Sequence, residues 1–183
     1  MKKIFIYIFL ILILHNNSFS QEEFSIDGMD LRDTALKYFT EKEIKEKTKN
    51  IYGDTLYTQF TISSKNSNSN YDSYQIHYKI GDKNYIIESV AGVNWTENFS
   101  QCKQLKEKIK KELTVFFSIK ETAWIEKEGE DDKGKTSMSY FYFDNGDSVD
   151  IQCKDWNSTV EFRDNLRVSL WTAEFEKFII SLN

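Results

Sequence analysis

Apolar and polar positions along the chain follow two rhythms, one of helices and one of strands. Leu31, Ala35, Tyr38 and Phe39 fall on one stripe, which predicts a first helix over about 30–49. Asp30 is its expected cap, and Glu41/Lys45 and Glu43/Lys47 stand at i,i+4 spacing. Three strands follow, at about 55–63, 72–80 and 85–91. The second alternates Tyr74, Ile76, Tyr78 and Ile80 with Ser73, Gln75, His77 and Lys79. The turn Gly81-Asp82-Lys83 is expected to bring Tyr85 and Ile87 opposite Tyr78 and Ile80. A second helix is predicted over 99–116, with Asn98 and Gln101 as a capping box and Cys102, Leu105, Ile109, Leu113 and Phe116 as its apolar stripe.

The second half repeats this order. A strand at 119–126 and a charged loop at 128–135 precede Asn145-Gly146, which predicts a two-residue type I′ hairpin turn. That register sets Tyr142 opposite Val149, Tyr140 opposite Ile151 and Met138 opposite Cys153 on an apolar face. It turns Phe141, Phe143, Asp150 and Gln152 to the other face. A further hairpin about Arg163-Asp164-Asn165 is expected to pair Phe162 with Leu166 and Val160 with Val168. Thr172 starts a last helix, whose Phe175, Phe178, Ile179 and Leu182 form one stripe. The fold class expected is α+β: an antiparallel sheet of about seven or eight strands packed with three amphipathic helices.

Helix plus meander thus occurs twice, and Gly81-Asp82 with Trp95 is faintly echoed by Gly146-Asp147 with Trp156. In this element order the chain resembles helix-plus-meander folds such as the cystatins and the tandem-repeat β-lactamase inhibitor proteins. The resemblance implies a fold and carries no activity with it.

The first 20 residues change the picture of where the chain works. Met1-Lys2-Lys3, the apolar run Ile4–Leu14 and the small residues Ser18 and Ser20 before Gln21 have the form of a cleavable secretory signal peptide. Residues 21–183 are then expected to fold as a single α+β domain that is secreted or periplasmic, with no transmembrane segment after cleavage. The chain is acidic, with net charge −5, and cleavage removes two lysines. Nucleic acid, whose phosphates call for a basic surface, is therefore not an expected partner.

Candidate chemistry is sparse. Cys102 on a helix stripe and Cys153 on an apolar strand face point to one core, so a disulfide is expected between them. His77 is read as a surface histidine on the polar face of its strand, which leaves no triad. Multi-histidine metal sites and phosphate-binding glycine loops lack material, so no catalytic, cofactor or metal residues are assigned. The acidic stretch Glu126–Asp132 lacks the ligand spacing of a calcium loop. Aromatic residues, 15% of the chain, are the informative surplus. Trp124, Phe141 and Phe143, with Asp150 nearby, form the candidate binding face. Either a further helix covers that face or it is an exposed patch of the kind that marks a binding site. The functional expectation is a small exported, non-catalytic binding protein for a protein partner, of the inhibitor, immunity or envelope accessory type. The alternative is a carbohydrate-binding or carboxylate-based glycan-hydrolysing protein.

Overall fold

Eight strands form one antiparallel sheet in the order β1-β2-β3-β4-β8-β7-β6-β5. A computed structural model describes residues 24–182 apart from 54, 55 and 66; the leader expected at 1–20 lies outside the described residues. The strands are β1 Thr48–Lys49, β2 Tyr57–Ser63, β3 Ser73–Lys79, β4 Ser89–Trp95, β5 Ile125–Asp131, β6 Gly134–Tyr142, β7 Ser148–Trp156 and β8 Asn165–Trp171. The helices are α1 Glu41–Lys47, α2 Phe99–Phe116 and α3 Ala173–Ser181. Strands β1–β4 and β5–β8 run inward from opposite edges, and the β4–β8 pairing joins the two sets. The α+β class expected from the patterning is the fold observed.

One face of the sheet holds the main core. Phe60, Ile76, Val90, Val168, Ile151 and Val149 point to it and are fully or almost fully buried. Helices α1 and α2 cover it. Cys102 on α2 bonds Cys153 on β7, with 5.7 Å between their Cα atoms, so the expected disulfide ties helix to sheet. Lys106 on α2 is almost fully buried and donates to Glu126 on β5 at 3.1 Å. Lys110 donates to the same carboxylate at 2.9 Å, and Ser139 at 2.7 Å. Helix α3 lies on the opposite face, at one end of the sheet.

The first helix is much shorter than its stripe predicts. Thr40 accepts from the Glu43 N–H while Glu43 accepts from the Thr40 N–H, and this capping box starts α1 after residue 40. Upstream, Arg32 and Ala35 donate backbone hydrogen bonds to the carbonyls of Ile87 and Tyr85, and the Ile87 N–H returns one to Asp33. Backbone committed to a neighbouring segment cannot also close helical turns. Only a 3-10 turn at Ala35–Lys37 remains. For the same reason Tyr85 and Ile87 do not extend the hairpin opposite Tyr78 and Ile80: β4 begins at Ser89, which pairs with His77.

The Asn145-Gly146 turn shifts the register of the second half by one residue. The Gly146 N–H bonds the Phe143 carbonyl, and the Phe143 N–H bonds the Asp147 carbonyl. Gly146 alone of the turn residues has positive φ, at 85°. A type I′ turn needs two such residues in succession, whereas a type I turn closed by a left-handed glycine needs one and loops three residues. The Asn145 side chain secures this form, accepting from the Asp147 N–H at 3.0 Å and donating to the Asp147 carboxylate at 2.9 Å. Phe141 therefore pairs with Val149 and Tyr140 with Asp150, and every side chain of β6 changes face. The hairpin expected at 163–165 is corrected as well. Strand β7 runs to Trp156, Cys153 pairs with Leu166, and the connection spans 157–164.

Asp147, just past this turn, pins three segments. It accepts from both terminal nitrogens of Arg32, at 2.7 and 2.8 Å, and from the Ala173 N–H that opens α3, at 3.0 Å. Burial raises its pKa, but the Arg32 hydrogen bonds, the Ala173 N–H, the Arg32 charge and Asn145 outweigh burial and hold it below the usual value. Asp147→Ala should lower stability by about 2–3 kcal/mol, less than a fully buried pair would lose, because the Arg32 side chain is 57% exposed and can rehydrate. A depressed carboxylate pKa contributes stability above the unfolded value, about pH 4, and loses it as pH falls through the folded value. Urea unfolding at pH 7 and below pH 3 checks both: the gap between wild type and variant should be present at the first pH and close at the second.

Candidate functional site

The face opposite α1 and α2 carries a cleft with room for a ligand. Its rows run across the strands, and β8 supplies the middle: Asn165, Arg167, Ser169 and Trp171 alternate toward it. Helix α3 closes one end. Thr172 caps it, accepting from the Phe175 N–H, as its sequence predicts. Phe175 is fully buried, with ring centroids 5.1 Å from Tyr57, 4.6 Å from His77 and 5.3 Å from Trp171. Glu176 accepts from Tyr142 at 2.6 Å and Ser148 at 3.1 Å, and Glu174 from Lys79 at 2.9 Å, which fixes the helix across the sheet.

The rest of the face is a cleft of about 700 Å³. Its floor includes Gln75, Ala91, Val93, Gln152, Arg167 and Ser169. Trp171 and Tyr52 line it near α3, and Trp95, Trp156, Phe162 and Arg163 line the far end. Phe162, 66% exposed, packs on Trp156 with centroids 4.8 Å apart. Lys154 stands 4.8 Å from the Trp156 ring and Arg163 5.2 Å from the Trp95 ring, both cation–π contacts. Several buried polar atoms of this face make no well-formed hydrogen bond: Arg167 Nε, Ser169 Oγ, the indole nitrogens of Trp156 and Trp171, His77 Nδ1 and both carboxylate oxygens of Asp150. Buried polar groups are nearly always hydrogen-bonded, so such a concentration on one face is a sign of an incomplete site.

His77 is corrected from a surface residue to a buried one. It does sit on the predicted strand face, but Phe175 and Tyr52 cover it and leave it 7% exposed. Burial, helped by the Arg167 charge, pushes its pKa down to about 3, so the imidazole is neutral at ordinary pH. Asp150 is also buried, and burial pushes its pKa up against the opposing pull of Arg167, Ser169 and Trp171.

The aromatic face expected from the sequence is not assembled. In the observed register Phe141 and Phe143 point to the helix side, where Phe117 packs on them at 6.3 and 5.0 Å. Trp124 joins them, buried, and donates from its indole nitrogen to Thr114 Oγ1 at 2.8 Å. Asp150 faces the other side of the sheet, next to Tyr140. Phe141, Phe143 and Trp124 thus belong to the contact between α2 and the sheet, and for the two phenylalanines the slip of one residue in the hairpin is the reason. The cleft residues Arg167, Trp95, Trp156 and Trp171 were not singled out by sequence as a site. The echo of Trp95 in Trp156 was the available signal, since both indoles line the cleft.

Among the described residues no group of three or more His, Cys, Asp or Glu side chains could hold a metal ion. Nor is any helix there long and apolar enough to cross a membrane. Compared with protein-family models, curated proteins and solved structures, the chain matches none of them.

Proposed function

We propose that this chain is an exported, non-catalytic binding protein, secreted or periplasmic, that holds another protein in the cleft on the open face of its sheet. The observation that carries this reading is the lining of the cleft. Tryptophan, tyrosine and arginine are the residue types that concentrate binding energy in protein interfaces. Here they surround one concavity and leave buried donors without well-formed hydrogen bonds. Export is supported by the pattern of residues 1–20 and by the disulfide, a bond that persists in oxidising compartments.

Binding is favoured over hydrolysis by the carboxylates. Glycan hydrolysis by an acid pair needs two carboxyl groups across a substrate. Among the residues that line the cleft Glu161 is the one acid, and Asp150 is sealed beside the floor. His77 lines the cleft but is held neutral by burial and is covered by Phe175, which leaves it 7% exposed and without a carboxylate to orient it as a base. A protein is favoured over a glycan because Lys154 and Arg163 already occupy faces of Trp156 and Trp95 on which a sugar ring would stack.

The test is affinity capture from envelope and secreted fractions of the source cells, with wild type beside a Trp95→Ala/Phe162→Ser variant. Both side chains are substantially exposed, so the variant should keep the wild-type unfolding midpoint. A protein held by the wild type and lost by the variant is the expected result. A protein held equally by both would move the interface elsewhere. Retention of wild type on polysaccharide, with no protein captured, would replace the reading with carbohydrate binding.

A further inference from the structure

We infer that the cleft recognises an acidic segment of its partner polypeptide, with a carboxylate seated against Arg167. This rests on the reading of the cleft as a protein-binding site. The chain as a whole carries net charge −5, yet the cleft is lined by Lys154, Arg163 and Arg167 against the single acid Glu161. Two of the three cations are already arranged: Arg163 lies over Trp95, and Lys154 donates to Thr136 at 3.0 Å beside Trp156 and pairs with Asp131 at 3.6 Å, which leaves Arg163 and Arg167 as the cationic surplus. They frame the cleft at the end where the floor strand begins.

Arg167 stands between them and α3, on the central strand, flanked by Val93 on β4 and Gln152 on β7. Its Nε is buried without a partner, and Ser169 Oγ and Trp171 Nε1, at the next two positions on the same strand face, make no well-formed hydrogen bond. Three donors in a row on one strand call for an acceptor-rich ligand, and a carboxylate is the acceptor that proteins offer most often. Asp150, opposite Ser169 on β7, draws on Ser169, Trp171 and the Arg167 charge from within the sheet. Those three residues line the cleft and Asp150 does not, so an acceptor that reaches them from the open side comes from the ligand. Next to the charged floor the lining offers Val93, Ala91, Ile51 and Phe162, so the ligand that fits carries apolar side chains beside its acid. That mixture is a property of a peptide segment and not of an acidic polysaccharide.

The test uses three probes of defined chemistry: a random copolymer of glutamate and tyrosine, one of lysine and tyrosine, and polygalacturonate. Binding is read as quenching of the cleft tryptophans and confirmed by calorimetry. Wild type should bind the glutamate–tyrosine copolymer, more weakly as salt is raised, and leave the lysine–tyrosine copolymer unbound. Arg167→Gln should weaken that binding at least tenfold with an unchanged unfolding midpoint. Should Arg167→Gln unfold, Arg163→Gln, on an exposed loop residue, should still weaken binding several-fold. Equal affinity in the folded variants, or no binding of any probe, overturns the inference. Preference for the lysine–tyrosine copolymer overturns it while the protein-binding reading stands. Preference for polygalacturonate overturns both. Self-association that rises with concentration in light scattering, and that Arg167→Gln abolishes, overturns it in favour of a second copy of this chain.

Discussion

Phe175→Ala is expected to cost about 3–4 kcal/mol and to release α3 from the sheet. The ring is fully buried, and Tyr52, Tyr57, His77, Trp171 and Phe178 all pack on it. Few other apolar contacts hold this helix: Phe175 is its one fully buried residue, and Ile180 is 63% exposed. The loss should therefore be local as well as energetic. His77 reports it. In wild type its folded pKa is about 3, against an unfolded value near 6.5. With the ring gone, water reaches the imidazole and its pKa should return most of the way to 6.5, which NMR titration of the ring carbons would follow. The sign of the linked effect follows from proton counting. Between those two values the unfolded state binds a proton that the folded state refuses. Wild-type stability should thus fall as pH drops from about 6.5 toward 3, and Phe175→Ala should lose less over that window than wild type does. A variant that keeps a His77 pKa near 3 would mean that α3 holds its place without Phe175.

Replacing both cysteines, as Cys102→Ala/Cys153→Ala, should cost about 4 kcal/mol from unfolded-chain entropy, given the sequence separation of 51 residues. Both residues are fully buried, and the bond joins α2 to a strand near the middle of the sheet. A loss of this size is a large share of the total stability of a domain. Guanidinium unfolding of the oxidised protein, the reduced protein and the double variant measures it. The last two should share one midpoint, well below the first. If all three coincide, the Lys106–Glu126 and Phe117–Phe141 contacts already fix α2, and the bond adds nothing further.

How much of this was legible depended on whether the deciding interaction was local. The helix at 99–116 and the Thr172 cap follow from residues within a few positions of each other, and they stand as the pattern predicts. Of the helix stripe Cys102 and Leu113 are buried, while Leu105 and Phe116 are exposed and Lys106 is buried in their place. The alternation of β3 is equally plain. The first helix failed because Arg32 and Asp33 exchange backbone hydrogen bonds with Ile87, and Ala35 donates one to Tyr85, across about fifty positions, and no stripe encodes such a claim on the backbone. The hairpin failed on a single residue. Asn-Gly serves two turn types, and the choice between them rested on Asn145 reaching Asp147. Since that choice sets which face Phe141 and Phe143 occupy, the candidate binding face went with it. His77 was placed on the right face and given the wrong exposure, because the helix that covers it comes almost a hundred residues later. The cleft draws Trp95, Trp156 and Arg167 from three strands, and only the sheet order brings them together.

The β4–β8 pairing has a consequence for how the chain becomes a protein at all. Trp95 pairs with Asn165 and Ser89 with Trp171, so the seam of the sheet closes between segments roughly 70 positions or more apart, the kind of topology that folds slowly. Synthesis delivers β4 early and β8 last among the strands. Until residues 165–171 emerge, β4 offers a bare edge of backbone donors and acceptors, and β7 offers another. Two half-sheets with open edges are the form in which chains pair with the wrong neighbour. A chain held unfolded until it is whole would never expose them together, so delayed folding suits this topology better than folding as it is made.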